Sequence, residues 1–383
     1  MGYSRSETLS SHTPEGAPFR HFAALDLGTN NCRLMIARRT DSGVQILDRQ
    51  NRMVCLGEGL IETGELSARA MDRAVRTLDS FAARMKGLPS LQVRAVATEA
   101  CRRALNRDSF LSRVHSETGL SLEIISPREE VELAVEGCRT LLHRAQKPGE
   151  RAIVFDIGGG STEIAWLRLS PETRGHELVS LVSLPYGVVT LSEQFGRSRQ
   201  SSPSLGETDL YETMVETVRK PLLAFEAIHQ IGREMQRGAV QMLGTSGTVT
   251  TLASMAQNLT RYSRYAVDGF SLSAQAAHDA ISTVRSASSG EQQAPSALSP
   301  DRQHFMLPGC AIFEAIHSVW PSQQIIVADR GLRDGMVARM AAQARNSRVI
   351  ADNPTRNGVN RRSSMIIVAM WHRLPLCDAH EQK

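Results

Sequence analysis

One pattern occurs twice in the chain and limits what it can fold into. Residues 24–36 read ALDLGTNNCRLMI, and residues 154–167 read VFDIGGGSTEIAWL. Each is a short apolar run ending in an acid, then a turn of small residues, then a second apolar run. Apolar runs of this length, bounded by glycine, predict buried strands rather than helices. Each copy opens a series in which strand and helix signals alternate, which argues for two α/β domains. The copies are diverged, and an ancient duplication would account for them. With 383 residues, of which 41% are hydrophobic and 22% charged, the chain can bury a core in each half.

The first series predicts strands at HFAALDL, CRLMIARR and within GVQILDRQNRMVCL. A helix over LSARAMDRAVRTLDSFAARMKG follows, with Ala70, Ala74, Leu78, Phe81 and Met85 on one face. LQVRAVAT and LSLEIIS read as strands, and EACRRALNRDSFLSRVHSETG as a helix stopping at Gly119. In the second series, ELVSLVSLPYGVVTLSEQF gives strand then helix, and AVQMLGTSGTVTTLASMAQ gives strand, glycine turn, helix. FMLPGCAIFEAIHSVW reads as a helix, and QQIIVADRGLRDGMVARMAAQ as a strand and a closing helix. The expected division is a tail over 1–20, a first domain over 21–145, a second over 146–345 and a C-terminal tail over 346–383. The closing helix is free to pack back on the first domain.

The glycine turns match neither the phosphate P-loop GxxxxGK[ST] nor the dinucleotide GxGxxG, which needs a helix directly after it. Gly158, Gly159, Gly160, Ser161 and Thr162 run into EIAWL, a strand, so the turn is a hairpin. Its N–H groups can still form a concave anion nest, and a Cβ would obstruct close backbone approach. Gly28, Thr29 and Asn30 form the matching turn of the first copy. Asp26, Asp156 and Glu163 at the strand ends are hard oxygen ligands suited to Mg²⁺; the expected cation set also allows a monovalent ion such as K⁺. Two such hairpins facing each other would clamp a phosphate. A third turn, with Gly244, Ser246, Gly247 and Thr248, leads into a helix whose free N–H groups favour anions.

Residues 126–130, Ser-Pro-Arg-Glu-Glu, open a helix with Ser126 at the N-cap, Pro127 at N1 and Glu129 at N3 of a capping box. At about 100° per residue, Glu130 falls in line with Ala134 and Leu141 on the apolar side. Glu132 falls with Glu136 and Arg139 on a solvated face. An acid on an inward face fits either a base aimed into a cleft or a boundary carboxylate paired with an arginine.

The paired turns resemble the superfamily of actin, Hsp70 chaperones and sugar kinases, which implies two RNase H-like α/β domains with a cleft between them. The fuller set of motifs resembles the Ppx/GppA phosphatase family over about residues 21–340. ALDLGTNNCRLMIA, AVATEACRRALNRDSFL, LEIISPREEVELAVEG, VFDIGGGSTEIAWL, SLPYGVVTLSEQF, MLGTSGTVTTLASM and VADRGLRDGMV stand in the family's order and spacing. The resemblance implies Glu130 as the general base for an attacking water, and Arg102 with the Thr29–Asn30–Arg33 hairpin as phosphate ligands. It implies hydrolysis of terminal phosphoanhydrides, of polyphosphate first and of guanosine pentaphosphate to tetraphosphate second, in the cytoplasm. A homodimer is expected from the family alone. Pro127 stands where the family has Gly, and Val131-Glu132 where it has Ala-Arg. The family's longer members add a helical HD-type domain, for which this chain is expected to be too short. A nucleotide-binding regulator without turnover is the reading from a different class, and Glu130 argues against it.

Composition excludes little beyond this. A net charge of +4 does not point to nucleic acid. Six scattered cysteines without a CxxC pair fit reduced thiols rather than disulfides or zinc. No apolar run approaches the ~18 residues of a membrane span, and the first twenty residues lack the apolar segment of a secretory signal.

Overall fold

The computed structural model describes residues 20–351 except 42, 144–149, 171, 202–206 and 289–299. The expected tails at 1–20 and 346–383 therefore lie almost wholly outside the described residues.

Strands β1 (His21–Leu27), β2 (Asn31–Thr40), β3 (Gly43–Met53), β4 (Leu91–Ala97) and β5 (Glu123–Ile124) form one sheet, in the order β3-β2-β1-β4-β5. Strands β6 (Arg151–Ile157), β7 (Thr162–Ser170), β8 (Gly175–Leu184), β9 (Val240–Thr245), β10 (Ser271–Ser273) and β11 (Gln324–Ala328) form the other, ordered β10-β11-β9-β6-β7-β8. The two sheets are built alike. β1 pairs antiparallel with β2 and parallel with β4, and β6 pairs antiparallel with β7 and parallel with β9. Asp26 and Asp156 occupy equivalent registers, opposite Arg33 and Glu163. The sequence repeat is thus a repeat of topology, and the fold is the expected pair of RNase H-like α/β units.

β1 reads as a continuous apolar run because both its faces are buried. Ala23, Leu25 and Leu27 pack with the helix Ala68–Met85. Phe22 and Ala24 face the closing helix Leu332–Ala351 through Met336 and Met340. The helix Pro127–Leu142 joins the two halves: Leu133 belongs to the first sheet's core, while Val131, Val135 and Cys138 pack with Val154 and Ala165 of the second. It crosses the closing helix at two glycines. A Cβ on Gly137 would lie 2.2 Å from the Gly331 carbonyl oxygen, and one on Gly335 1.9 Å from that of Leu133.

Three expectations are corrected. The helix expected over 99–119 is two, Glu99–Arg103 and Arg107–Thr118. The break is fixed by Asn106, whose amide bonds both the N–H and the carbonyl of Leu66 at 2.9 Å. The strand expected over LSLEIIS shrinks to two residues, because Ser126 is already the N-cap of the next helix. The closing helix continues past residue 346 to Ala351. A further helix, Glu207–His229, contains Pro221 and was not anticipated, although Tyr211, Met214, Val218, Leu222 and Phe225 recur at helical spacing and are buried. No helix among the described residues is long and apolar enough to cross a membrane.

Candidate active site

The two glycine turns meet between the lobes. Each is closed by one backbone bond, Gly28 N–H to Asn31 at 2.9 Å and Gly158 N–H to Ser161 at 3.0 Å. The second packs directly on the first. A Cβ on Gly159 would lie 3.1 Å from the Asn30 nitrogen, and one on Gly160 2.3 Å from Thr29 Oγ1. Gly187 presses on the second turn from behind, where a Cβ would lie 2.4 Å from the Gly159 carbonyl carbon. These glycines are needed for close approach rather than for an unusual φ.

A cavity of about 540 Å³ runs along this junction. Gly28, Thr29, Asn30 and Arg33 line it from the first lobe, and Gly158, Gly159, Gly160 and Ser161 from the second. Ser246, Gly247 and Thr248 of the third turn also reach it, as do Asp26, Asp156, Glu163 and Glu130. Ser246 sits at φ 80°, a left-handed conformation costly for a residue with a Cβ. Three expected residues are used otherwise. Thr162 is buried and donates its hydroxyl to the Tyr186 carbonyl at 2.6 Å. Gly244 makes room for the Phe155 ring, which a Cβ would meet at 2.5 Å. Arg102 stands behind Glu130 rather than in the wall.

Glu130 is held by local chemistry. Ser126 Oγ accepts from the Glu129 N–H at 3.2 Å and starts the helix. The Glu129 carboxylate turns to Arg94. Glu130 Oε2 accepts from Arg102 Nη1 at 2.7 Å. Arg102 is itself fixed, by the Ile125 carbonyl at 2.9 Å and Glu99 Oε2 at 3.1 Å. Two of the buried polar atoms without a hydrogen-bond partner among the described residues belong to this site: Thr29 Oγ1, and Arg102 Nη2, which keeps only an ion-pair contact with Glu99 at 3.0 Å.

The carboxylates repel one another. Burial and then the Glu163 charge push the Glu130 carboxyl well above its ordinary value, against the pull of Arg102. Burial pushes Glu163 up to about 7; Asp156 adds to this, while bonds from Ser161 and Ser183 oppose it. Burial also raises Asp156, opposed by Arg33 and Ser246. Asp26 is paired with Arg33 at 3.1 Å.

Asp26, Asp156 and Glu163, the expected metal ligands, all stand in this wall. Among the described residues no three His, Cys, Asp or Glu gather closely enough to hold an ion by themselves. Buried, mutually repelling carboxylates nonetheless fit a hard divalent cation that takes its other ligands from phosphate and water, as Mg²⁺ commonly does.

The sequence reading missed Arg49, Gln50 and Asn51. They enter the wall from β3 because Asn51 lies opposite Arg33. It also missed Tyr262 and Arg264. Arg333 lies in the wall and donates to the Leu34 and Gln50 carbonyls at 3.3 and 3.5 Å. Arg330 reaches the wall but spends its guanidinium on Asp268 at 2.8 Å and Thr140 at 2.7 Å. Tyr186 packs against the second lobe's core.

Comparison with known proteins agrees with this architecture. A Haemophilus influenzae protein provisionally named an exopolyphosphatase is 31% identical over 327 residues, 83% of this chain and 90% of that one. The guanosine-5'-triphosphate,3'-diphosphate pyrophosphatase of Vibrio vulnificus is 34% identical over 232 residues, 60% of this chain and 42% of that one. The crystal structure of an Aquifex aeolicus Ppx/GppA family member superposes with a TM-score of 0.65 at 26% identity, covering 85% of this chain and 99% of that one. The family model described as the Ppx/GppA phosphatase family matches residues 35–344, and the chain belongs to that family.

Proposed function

We propose that the protein hydrolyses the terminal phosphoanhydride of inorganic polyphosphate and releases orthophosphate. The observation that carries this reading is Glu130, an acid fixed by Arg102 in the wall of the cavity where both glycine turns meet. In the reaction, water oxygen bonds to the terminal phosphorus and the bridging oxygen leaves with the shortened chain. Glu130 orients that water and takes its proton. Its raised pKa suits the role, because a general base works best with a pKa near the working pH. The N–H groups of Thr29–Asn30 and Gly159–Ser161 and the orphaned Thr29 hydroxyl grip the phosphoryl oxygens. A divalent cation held by Asp26, Asp156 and Glu163 would neutralise charge on those oxygens.

The second reading is guanosine pentaphosphate as substrate, the substrate type in the Vibrio relative's name. Tyr262, Phe305 and Met306 in the wall favour it, since an inorganic chain needs no apolar surface. Phosphate release from each substrate, with Mg²⁺ and with chelator, separates the two. Glu130→Gln is expected to keep polyphosphate binding and lose about 10²–10⁴-fold in turnover. Near-normal release by that variant would overturn the reading. Binding without release by the parent protein would instead support a regulator.

A further inference from the structure

The cavity wall carries Glu130, Glu163, Asp156 and Asp26, and Asp26 meets Arg33 at 3.1 Å. The wall then turns basic across the first sheet. Arg33 on β2 is opposite Asn51 on β3, and Arg49 lies two residues along the same face. With strands ~4.8 Å apart and residues ~3.4 Å apart along them, the Arg33 and Arg49 backbones are roughly 8 Å apart. Between them sits Arg333, whose guanidinium donates only to backbone carbonyls among the described residues. Burial and the neighbouring Arg33 charge push its pKa down to about 10. Arg333 therefore holds positive charge that no carboxylate bonds among the described residues, whereas Arg33 is paired with Asp26 and Arg49 with Asp334.

Past Arg49 lies a second cavity of about 410 Å³, between β3 and the crossing helices. The two cavities share Arg49, Arg264, Arg330 and Asp334. This partition is made of ion pairs: Arg49 to Asp334 at 3.0 Å, Arg264 to Asp334 at 3.7 Å and to Asp329 at 3.4 Å, and Arg330 to Asp268 at 2.8 Å. All of these side chains keep some contact with solvent. Their arginines are 28–31% exposed, so a competing anion can reach the guanidinium groups. Phosphate oxygens are strong bidentate acceptors for guanidinium and compete well with such partners.

We propose that the second cavity is an extension subsite for the internal phosphates of a linear polyphosphate whose end lies at Glu130, reached when those phosphates replace the carboxylates in the Arg49–Asp334–Arg264 partition. This rests on the polyphosphate reading above. Arg139, with Glu136 beside it, forms the far wall. A nucleoside polyphosphate ends in a sugar and base and gains nothing from this site, so the subsite selects long inorganic chains.

Ile46→Trp and Ala338→Trp fill the second cavity from residues outside the first cavity's wall. The test measures hydrolysis and equilibrium binding of tripolyphosphate and of a long-chain polyphosphate by the parent and both variants. The expected result is unchanged tripolyphosphate kinetics with long-chain KM and Kd raised about tenfold, the effect of losing ~1.4 kcal/mol of binding. If both variants bind long chains as the parent does, or weaken both substrates equally, the subsite is refuted. If the parent binds long chains more tightly than short ones but hydrolyses neither, the hydrolase reading fails and the subsite stands.

Discussion

The site's pH behaviour is set by single buried carboxyls. Glu163 ordinarily titrates near 4.5 and is pushed to about 7 in the fold. A raised native pKa means that the folded state holds the proton more tightly than the unfolded chain. The stability it contributes is present below pH 4.5 and is lost as pH rises through about 7. In chelator, Glu163→Gln should therefore gain stability over the parent as pH rises across that window, read as the difference between their melting temperatures; parallel curves would contradict the assignment. Arg102 acts through a different group. It draws the Glu130 pKa down, so Arg102→Gln should raise it further. The acid limb of the kcat profile should then move to higher pH, with part of the lost rate recovered in alkaline buffer. A uniform loss at every pH would mean that Arg102 only maintains structure. Glu130 was legible in the sequence from its place on the apolar side of an amphipathic helix. The role of Arg102 as its partner was not, because the contact joins residues 28 positions apart across a tertiary interface.

Secondary structure was read well wherever a segment carried its own signal. The turns at Gly28 and Gly158 and the stripe of Ala70, Ala74, Leu78, Phe81 and Met85 emerged where expected. The misread segments are those where a tertiary partner decides. Asn106 breaks a helix by bonding Leu66, and Pro221 disguises a helix whose buried face is otherwise regular. The crossing of Pro127–Leu142 with Leu332–Ala351 is such a case. Alanine is favoured over glycine in a helix by about 1 kcal/mol, so Gly335→Ala would stabilise an isolated helix. Here its Cβ would lie 1.9 Å from the Leu133 carbonyl oxygen. Overpacking of this kind costs about 1–3 kcal/mol or more, so the clash wins. Gly335→Ala should lower the denaturation midpoint at an unchanged m-value. A midpoint at or above the parent's would show that the crossing is looser than this geometry.

At the scale of the whole molecule, two similar lobes are closed on one another. Neither the charged wall beyond Arg33 nor the closure could be read from the sequence. The wall depends on the register that sets Asn51 opposite Arg33, and the closure on contacts between segments far apart in the chain. Closure has a consequence for entry. The turns touch, so a phosphoryl group reaches the space between Thr29 and Gly160 only when the lobes part. Among the described residues, a side-chain bond also joins them: the Gly59 N–H donates to Glu193 Oε1 at 3.0 Å, across 134 residues of chain. A hydrogen bond to a charged acceptor is worth about 1.5–3 kcal/mol, and its loss should favour the open arrangement by roughly tenfold or more. Glu193→Ala should therefore raise the radius of gyration seen by solution scattering without ligand, and a saturating non-hydrolysed phosphate analogue should bring it back to the parent value. It should also speed substrate association, because the site is more often accessible, and weaken retention of bound substrate, because the closed state is less favoured. If the free variant scatters like the parent and its association rate is unchanged, the Gly59–Glu193 contact does not govern closure.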